Sequence, residues 1–350
     1  MASITRRGLY WRAQVRRKGY PDQFATFDTR FDASAWARDI ESQMDRGVFR
    51  DMAEAEKTTL HEALDRYFRE IGARKAHPYQ EQQRVRQWQR HPLARRFLAT
   101  LRGADFAKYR DDRFVLGRAE STVRLELQLV SHLFEICRKE WGMEGLMNPL
   151  KNIRKPSGSI ERDRRLRPGE FEALLAELRM SNNPWVAPAF ELAIETSLRQ
   201  GMLFKLERAW LDSTGRVFHI PPIHRGNGNK VVPPFLPLST RAAAIVAALP
   251  RTIDGRLFGC TQNAAVVVWK RAVISARQRH KGEALARGGK PTEGFLENLR
   301  WHDLRHEAAS RLFEKGLHPL EVSSITGHKS LTMLRRYTHL QPSQLLAKLG

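Results

Sequence analysis

The chain has 350 residues, 41% of them hydrophobic, which is enough for two or three domains with buried cores and too apolar for a disordered chain. Sixty Lys+Arg against 38 Asp+Glu leave a formal charge of +22; a surplus of that size repels itself unless a polyanion is the partner, so nucleic acid is the leading expectation. No run of 18 apolar residues, no signal-peptide pattern and no lipid-facing basic helix is present, and the two cysteines, Cys137 and Cys260, have neither the number nor the spacing of a disulfide framework or a zinc site. These features predict a soluble protein that stays in the reducing compartment where it is made, with no membrane partner.

Residues 1–55 form the first predicted unit. Over 10–17, Trp11, Ala13 and Val15 alternate with Arg12, Gln14 and Arg16, the period of a half-buried strand. Residues 18–21 turn into a second strand over 23–27. Asp32 then caps a helix whose apolar face is Ala33, Trp36, Ala37, Ile40 and Met44, stopped by Gly47. Arg6, Arg7, Arg12, Arg16, Arg17 and Lys18 crowd around these strands as a candidate DNA-contact set, with a solvated charged face as the alternative.

Residues 56–157 read as helical. Thr59 with Glu62 makes a capping box before Leu60, Leu64, Phe68 and Ile71. Ser121 is the expected cap of a second helix with Val123, Leu127, Val130 and Phe134 on one face, and Asn148-Pro149 ends the helical part. The segment 151–167 holds seven basic residues and two acids, with Pro156, Ser157 and Gly158 inside it. It reads as a linker that crosses DNA while two globular units clasp it.

A third unit follows. Pro168 opens a helix carrying Phe171, Leu174, Leu175 and Leu178, and another helix is expected from about 184 to 200. A turn over 212–215 leads to a strand over 217–220, and a Gly/Asn-rich turn leads to a partner strand over 230–232, with four nearby prolines confining both to an edge. The remainder is helical. His302 and Arg305 are three apart near the start of a helix with Leu304, Ala308 and Leu312 on its buried face, ended by Gly316; that spacing sends both side chains to one side. His328 follows Gly327, which ends the next helix, and Tyr337 lies on a further short helix that Ser330 caps. Upstream, Thr196-Ser197-Leu198-Arg199 ends a helix on a second arginine.

In this order the residues resemble the tyrosine site-specific recombinases of the phage integrase family. That pattern is an arginine after a Thr-Gly-Leu-like helix end (Arg199), a lysine on a β-hairpin (Arg225 or Lys230), His-x-x-Arg (His302, Arg305), a Gly-His pair (Gly327, His328) and a nucleophilic tyrosine (Tyr337). The resemblance extends over the whole chain and implies a multidomain, mainly α fold. Its parts would be a small N-terminal β-sheet-plus-helix arm-type DNA-binding domain (1–55), an α-helical core-binding domain (56–157), a basic linker (158–167) and a mixed α+β catalytic domain (168–350).

The chemistry the resemblance implies is attack of Tyr337 on a phosphodiester, giving a 3′-phosphotyrosine and a free 5′-hydroxyl. Arg199 and Arg305 would grip the nonbridging oxygens through paired, charge-assisted hydrogen bonds. His302 and His328 would add hydrogen bonds, and one of them would help remove the phenol proton. No metal or cofactor is expected. Implied partners are double-stranded DNA attachment sites, a homotetramer assembled on DNA, and accessory DNA-bending or directionality proteins, in a cytoplasmic, nucleoid-associated setting.

The arm unit favours an integrase of a prophage or genomic island over a chromosome-resolving recombinase or a type IB topoisomerase-like enzyme. A non-catalytic DNA-binding regulator, with a helix-turn-helix over 301–327, would leave the Arg/His/Tyr set without a use. Two positions depart from the pattern. Met202 stands where an acid usually follows three residues after the first arginine, and Arg225 stands where the hairpin lysine is expected. A guanidinium effectively never gives up a proton, so either Lys230 is the acid, or Arg225 only stabilises charge and another group protonates the leaving oxygen.

Overall fold

The computed structural model describes residues 2–47, 49–158, 162–226, 231–328, 330–334 and 337, and two compact units divide it at residues 160/161. In the first unit the strands over 10–17 and 23–27 acquire a third. β1 (Ala2–Arg7), β2 (Tyr10–Val15) and β3 (Gln23–Phe27) form an antiparallel sheet with β2 central. β1 escaped the sequence reading because its inward positions, Ala2 and Ile4, give only a short alternation before Arg6 and Arg7. Helix α1 (Arg30–Asp45) covers one face, burying Ala33, Ala37 and Met44 against Ala13 and Val15. Its cap is Thr29, whose hydroxyl accepts from Asp32 N; Asp32 sits in the first turn, where its charge suits the helix dipole.

α2 (Ala53–Lys57) and α3 (Leu60–Glu70) follow, and the Thr59/Glu62 capping box is present with both reciprocal bonds. α4 (Pro78–Gln89), α5 (Gly103–Val115) and α6 (Glu120–Lys139) complete this helical part around Trp88, which stacks on Tyr109 with ring centroids 3.9 Å apart. α6 begins one residue before the expected cap: Ala119 is its N-cap and Ser121 lies in its first turn. Its predicted face is buried all the same, with Val123, Leu127, Val130 and Phe134 at 2% exposure or less.

The second unit packs α7 (Glu170–Arg179), α8 (Val186–Thr196), the short α9 (Gln200–Leu203), α10 (Thr240–Ala248), α11 (Gln262–Ala286), α12 (Asp303–Glu314), α13 (Pro319–Thr326) and α14 (Leu331–Leu334). A two-stranded ribbon, β4 (Val217–His219) and β5 (Phe235–Pro237), lies among them. The partner strand was expected over 230–232; pairing instead starts after Pro233 and Pro234, which have no N–H to give a ladder. Phe190, Phe218, Phe258, Trp269 and Leu304 share one large core.

The end of the basic segment is built into this unit. Arg162 grips Asp303 with two bonds (3.0 and 2.7 Å), and Arg164 grips the fully buried Glu170 with two (2.6 and 2.8 Å). Arg165 reaches Glu307 (3.1 Å) and Glu314 (2.6 Å), and Arg167 donates to Glu293 O. Among the described residues, no helix is long and apolar enough to cross a membrane.

Candidate active site

The site is assembled by helix ends. α8 stops at Ser197, which takes the left-handed conformation (φ 56°) that lets its N–H bond back to Ala193 O and turns the chain outward toward Arg199. Arg199 is the N-cap residue of α9, and its Nη1 donates to Val231 O at 3.1 Å. Across from it, Trp301 wedges against Phe204 and Trp269 and so fixes where α12 starts. His302 is the N-cap residue of α12, not a residue of its first turn, and Arg305 leaves the helix one turn on.

Arg305 is 5% exposed and is aimed by two backbone carbonyls: Nη1 donates to Ser197 O at 2.5 Å and Nη2 to Thr326 O at 2.7 Å. Thr326 ends α13, and Gly327 follows in the left-handed region (φ 71°). A Cβ at Gly327 would lie 2.8 Å from Val231 O, so only glycine lets α13 close against the ribbon segment that also receives Arg199. His328 comes next, with Nδ1 2.6 Å from Thr326 Oγ1 and Nε2 3.4 Å from Arg305 Nη2. Thr326 Oγ1 already donates to Val322 O, so it accepts from Nδ1–H, which leaves Nε2 as the acceptor facing the guanidinium.

Tyr337 completes the group. It is 6% exposed and packs with Ala309, Val322 and Leu334. Its hydroxyl is 2.7 Å from His306 Nδ1, and its ring lies 5.5 Å from His306 and 5.7 Å from His328, centroid to centroid. Ser330 supports the turn before α14, through Thr332 N to its Oγ at 3.2 Å, but α14 ends at Leu334, so Tyr337 lies three residues beyond the helix expected to carry it.

Burial shapes the charges. Burial is the first cause that lowers the Arg305 pKa to about 10, followed by the Arg199 charge, while Tyr337 acts in the opposite direction. Arg199 is lowered by burial as well. His302 keeps an exposed surface, yet the protein around it is dense enough that desolvation leads among the causes lowering its pKa, ahead of the Arg305 charge. The neutral imidazole is therefore favoured at neutral pH.

Five sequence candidates thus converge: Arg199, His302, Arg305, His328 and Tyr337. Arg225 is held within its own loop, with Nε donating to Ile220 O at 2.8 Å, and Lys230 lies outside the described residues. Met202 is a core residue, 6% exposed. The sequence reading passed over His306, although it lies four residues from His302 and so on the same side of one helix; the two rings meet edge to face at 5.5 Å. Of the N-terminal cations, Arg16 pairs with Asp22 and Arg17 with Asp45, Arg6 lies over Trp11 and Arg12 over Phe24, and Arg7 and Lys18 are exposed.

Glu307, next to His306, carries a stability consequence. Burial raises its pKa, but hydrogen bonds and charge from Arg165 and Arg311 outweigh that, so it stays below the ordinary 4.5. A depressed carboxylate stabilises the fold fully above the unfolded value and loses that contribution as pH falls through the folded one. Glu307→Gln is expected to cost about 3 kcal/mol near pH 6 by leaving Arg311 without its acid and Arg165 with Glu314 alone. The thermal-midpoint gap to wild type should shrink as pH drops toward about 3, a range below the usual carboxylate pKa; a gap independent of pH would refute this account.

The chain resembles known proteins in sequence and in fold. The profile described as "Phage integrase family" matches residues 164–344. The shufflon-specific DNA recombinase of Escherichia coli is 36% identical over 301 residues, covering 84% of this chain and 72% of the relative. Among solved structures, the Tn1549 transposon integrase in complex with circular intermediate DNA has the same fold (TM-score 0.63, 17% identity, 84% of this chain and 100% of that one). So does lambda integrase, as a tetramer bound to a Holliday junction (TM-score 0.57, 18% identity, 94% and 96%). The chain belongs to the phage integrase family and is a tyrosine recombinase.

Proposed function

We propose that this recombinase cuts and rejoins DNA at specific sites with Tyr337 as the nucleophile, and that one observation carries the reading: the Tyr337 hydroxyl sits 2.7 Å from His306 Nδ1. A phenol with an ordinary pKa near 10 needs a base to become a nucleophile at neutral pH, and the adjacent imidazole supplies one. The tyrosine oxygen attacks phosphorus, the bond to the 5′-oxygen breaks, and that oxygen leaves as a hydroxyl after taking up a proton. The bond energy is kept in the 3′-phosphotyrosine, so ligation is the same step reversed and needs no nucleotide cofactor.

Arg199 and Arg305 stabilise charge on the nonbridging oxygens, with neutral His302 adding a hydrogen bond and His328 Nε2 holding the Arg305 guanidinium. Arg225 is engaged by Ile220 O and is too basic to give up a proton, so we assign protonation of the leaving oxygen to Lys230. The site is the catalytic domain, residues 56–157 the core-binding domain, and the sheet with α1 the arm-type DNA-binding domain. Exchange between two duplexes calls for four subunits, the assembly in which lambda integrase is seen on a Holliday junction. We place the protein in the cytoplasm, acting on attachment sites of a mobile element with the help of accessory DNA-bending proteins. The shufflon-specific relative favours a second reading, in which the recombined sites belong to a shufflon and not to an element junction.

The test is incubation of the full chain, in EDTA, with nicked duplexes carrying the repeats found beside its own gene. A detergent-resistant protein–DNA adduct whose proteolytic peptide places the nucleotide on Tyr337 is expected. An adduct mapped to another residue would sink the assignment. Repeats flanking an insertion or repeats within a shufflon, whichever supports the adduct, decide between the two substrates.

A further inference from the structure

The segment 162–167 looks from its sequence like a DNA-contacting linker, but its arginines face inward to one target. The loop before α12 has three left-handed residues within five positions: Gly294 (φ 67°), Leu296 (φ 52°) and Asn298 (φ 53°). Left-handed non-glycine residues cost about 1 kcal/mol each and persist only where neighbours over-determine them. Here the neighbours are the segment's arginines. Arg167 donates to Glu293 O, Arg164 to Glu297 O, and Arg162 to both Asn298 O and Asn298 Oδ1. Glu170, which Arg164 holds, accepts from Leu296 N at 2.6 Å.

Beyond the loop the same segment continues onto α12. Arg162 binds Asp303, which is 1% exposed and also accepts from Arg300 N at 2.8 Å, so the first turn of the helix is closed by this pair. Arg165 and Leu166 N bind Glu307 one turn on, and Arg165 spans to Glu314 at the far end. Asp303 stands between His302 and Arg305, and Glu307 follows His306. The carboxylates held by the segment thus interleave with the side chains of the site.

We propose that residues 162–167 act as a strap that positions α12, with Arg162 as a positioning residue that aims His302 and Arg305 through Asp303. The strap sets the rate of cleavage in bound DNA and leaves affinity for DNA nearly unchanged. This rests on the reading of Tyr337 as the nucleophile. A displacement of about 1 Å in a catalytic group costs on the order of 10²-fold in rate, so a loosened first turn is enough for a large effect.

The experiment uses the full chain and the nicked duplex on which wild type forms its adduct. Arg162→Gln is expected to lower the first-order adduct rate at saturating DNA on the order of 10²-fold. Arg162→Lys, which restores one charged bond to Asp303, should recover about tenfold of that loss. The dissociation constant for the duplex should stay within about twofold and its salt slope unchanged, because no phosphate contact is removed. Amides over 296–306 should exchange faster in Arg162→Gln while the rest of the unit is unaltered.

An unchanged rate at saturation with weaker, less salt-dependent binding would show that Arg162 contacts DNA, and would overturn the strap. Loss of rate in step with a general loss of exchange protection, not recovered by lysine, would make Arg162 merely structural and overturn it equally. Absence of any wild-type adduct would remove the Tyr337 assignment first, and the strap with it.

Discussion

Tyr337→Phe is expected to abolish covalent adduct formation, a loss of 10⁴-fold or more of the order seen when a nucleophile is deleted, while DNA binding stays within about twofold. The substitution removes one oxygen and leaves the ring among Ala309, Val322 and Leu334, so the fold loses about 1 kcal/mol, the worth of the hydrogen bond to His306. His306→Ala separates the base from the nucleophile: with the phenol still present, the adduct should form about 10²–10³-fold more slowly, with the deficit narrowing as pH rises toward the phenol's own pKa. Gel-resolved adduct on a nicked duplex measures both. A phenylalanine variant that reacts at a rate comparable to wild type would place the nucleophile elsewhere.

The second large effect belongs to Arg305. Arg305→Lys keeps a formal charge but loses the planar fork that bonds Ser197 O and Thr326 O at once, and a rate loss of about 10³-fold at pH 8 is expected from losing a transition-state guanidinium. The sign of its pH dependence is specific. Burial and the Arg199 charge already bring the arginine to about 10. A lysine, starting near 10.4, is carried down by the same causes and becomes neutral close to neutral pH. Its charge is present below that lowered pKa, so the residual activity of Arg305→Lys should rise as pH falls from 8 to about 6.5, until histidine protonation intervenes. Activity of the lysine variant within a few-fold of wild type at pH 8 would refute this account of the site.

The five converging residues were readable because helix boundaries leave strong local marks. Gly316 and Gly327 mark where α12 and α13 stop; His328 follows the second, His302 is the N-cap residue of α12, and Arg199 is that of α9. What the sequence left unread depends on long-range pairing. Nothing near residue 162 says that its partner is Asp303, 141 positions away, so a run of cations looked like an exposed linker. In the sequence Pro233 and Pro234 look like edge markers after a strand over 230–232, whereas in the fold they delay the pairing until Phe235. β1 had too little alternation to be told from a basic tail. His306 is one of two helical neighbours of His302, at a four-residue step, and only its long-range contact with Tyr337 distinguishes it from a packing histidine.

Arg305 is buried beside the like charge of Arg199, with its pKa brought to about 10, which has a thermodynamic consequence outside the reaction. An empty cleft is the least favourable state of such a residue, since burial and Arg199 both work against its proton. A phosphodiester between the two guanidiniums reverses the sign of the local field. The free energy released on binding appears again as resistance to unfolding, because the unfolded chain has no such cleft. DNA is then a folding ligand for this unit as well as its substrate.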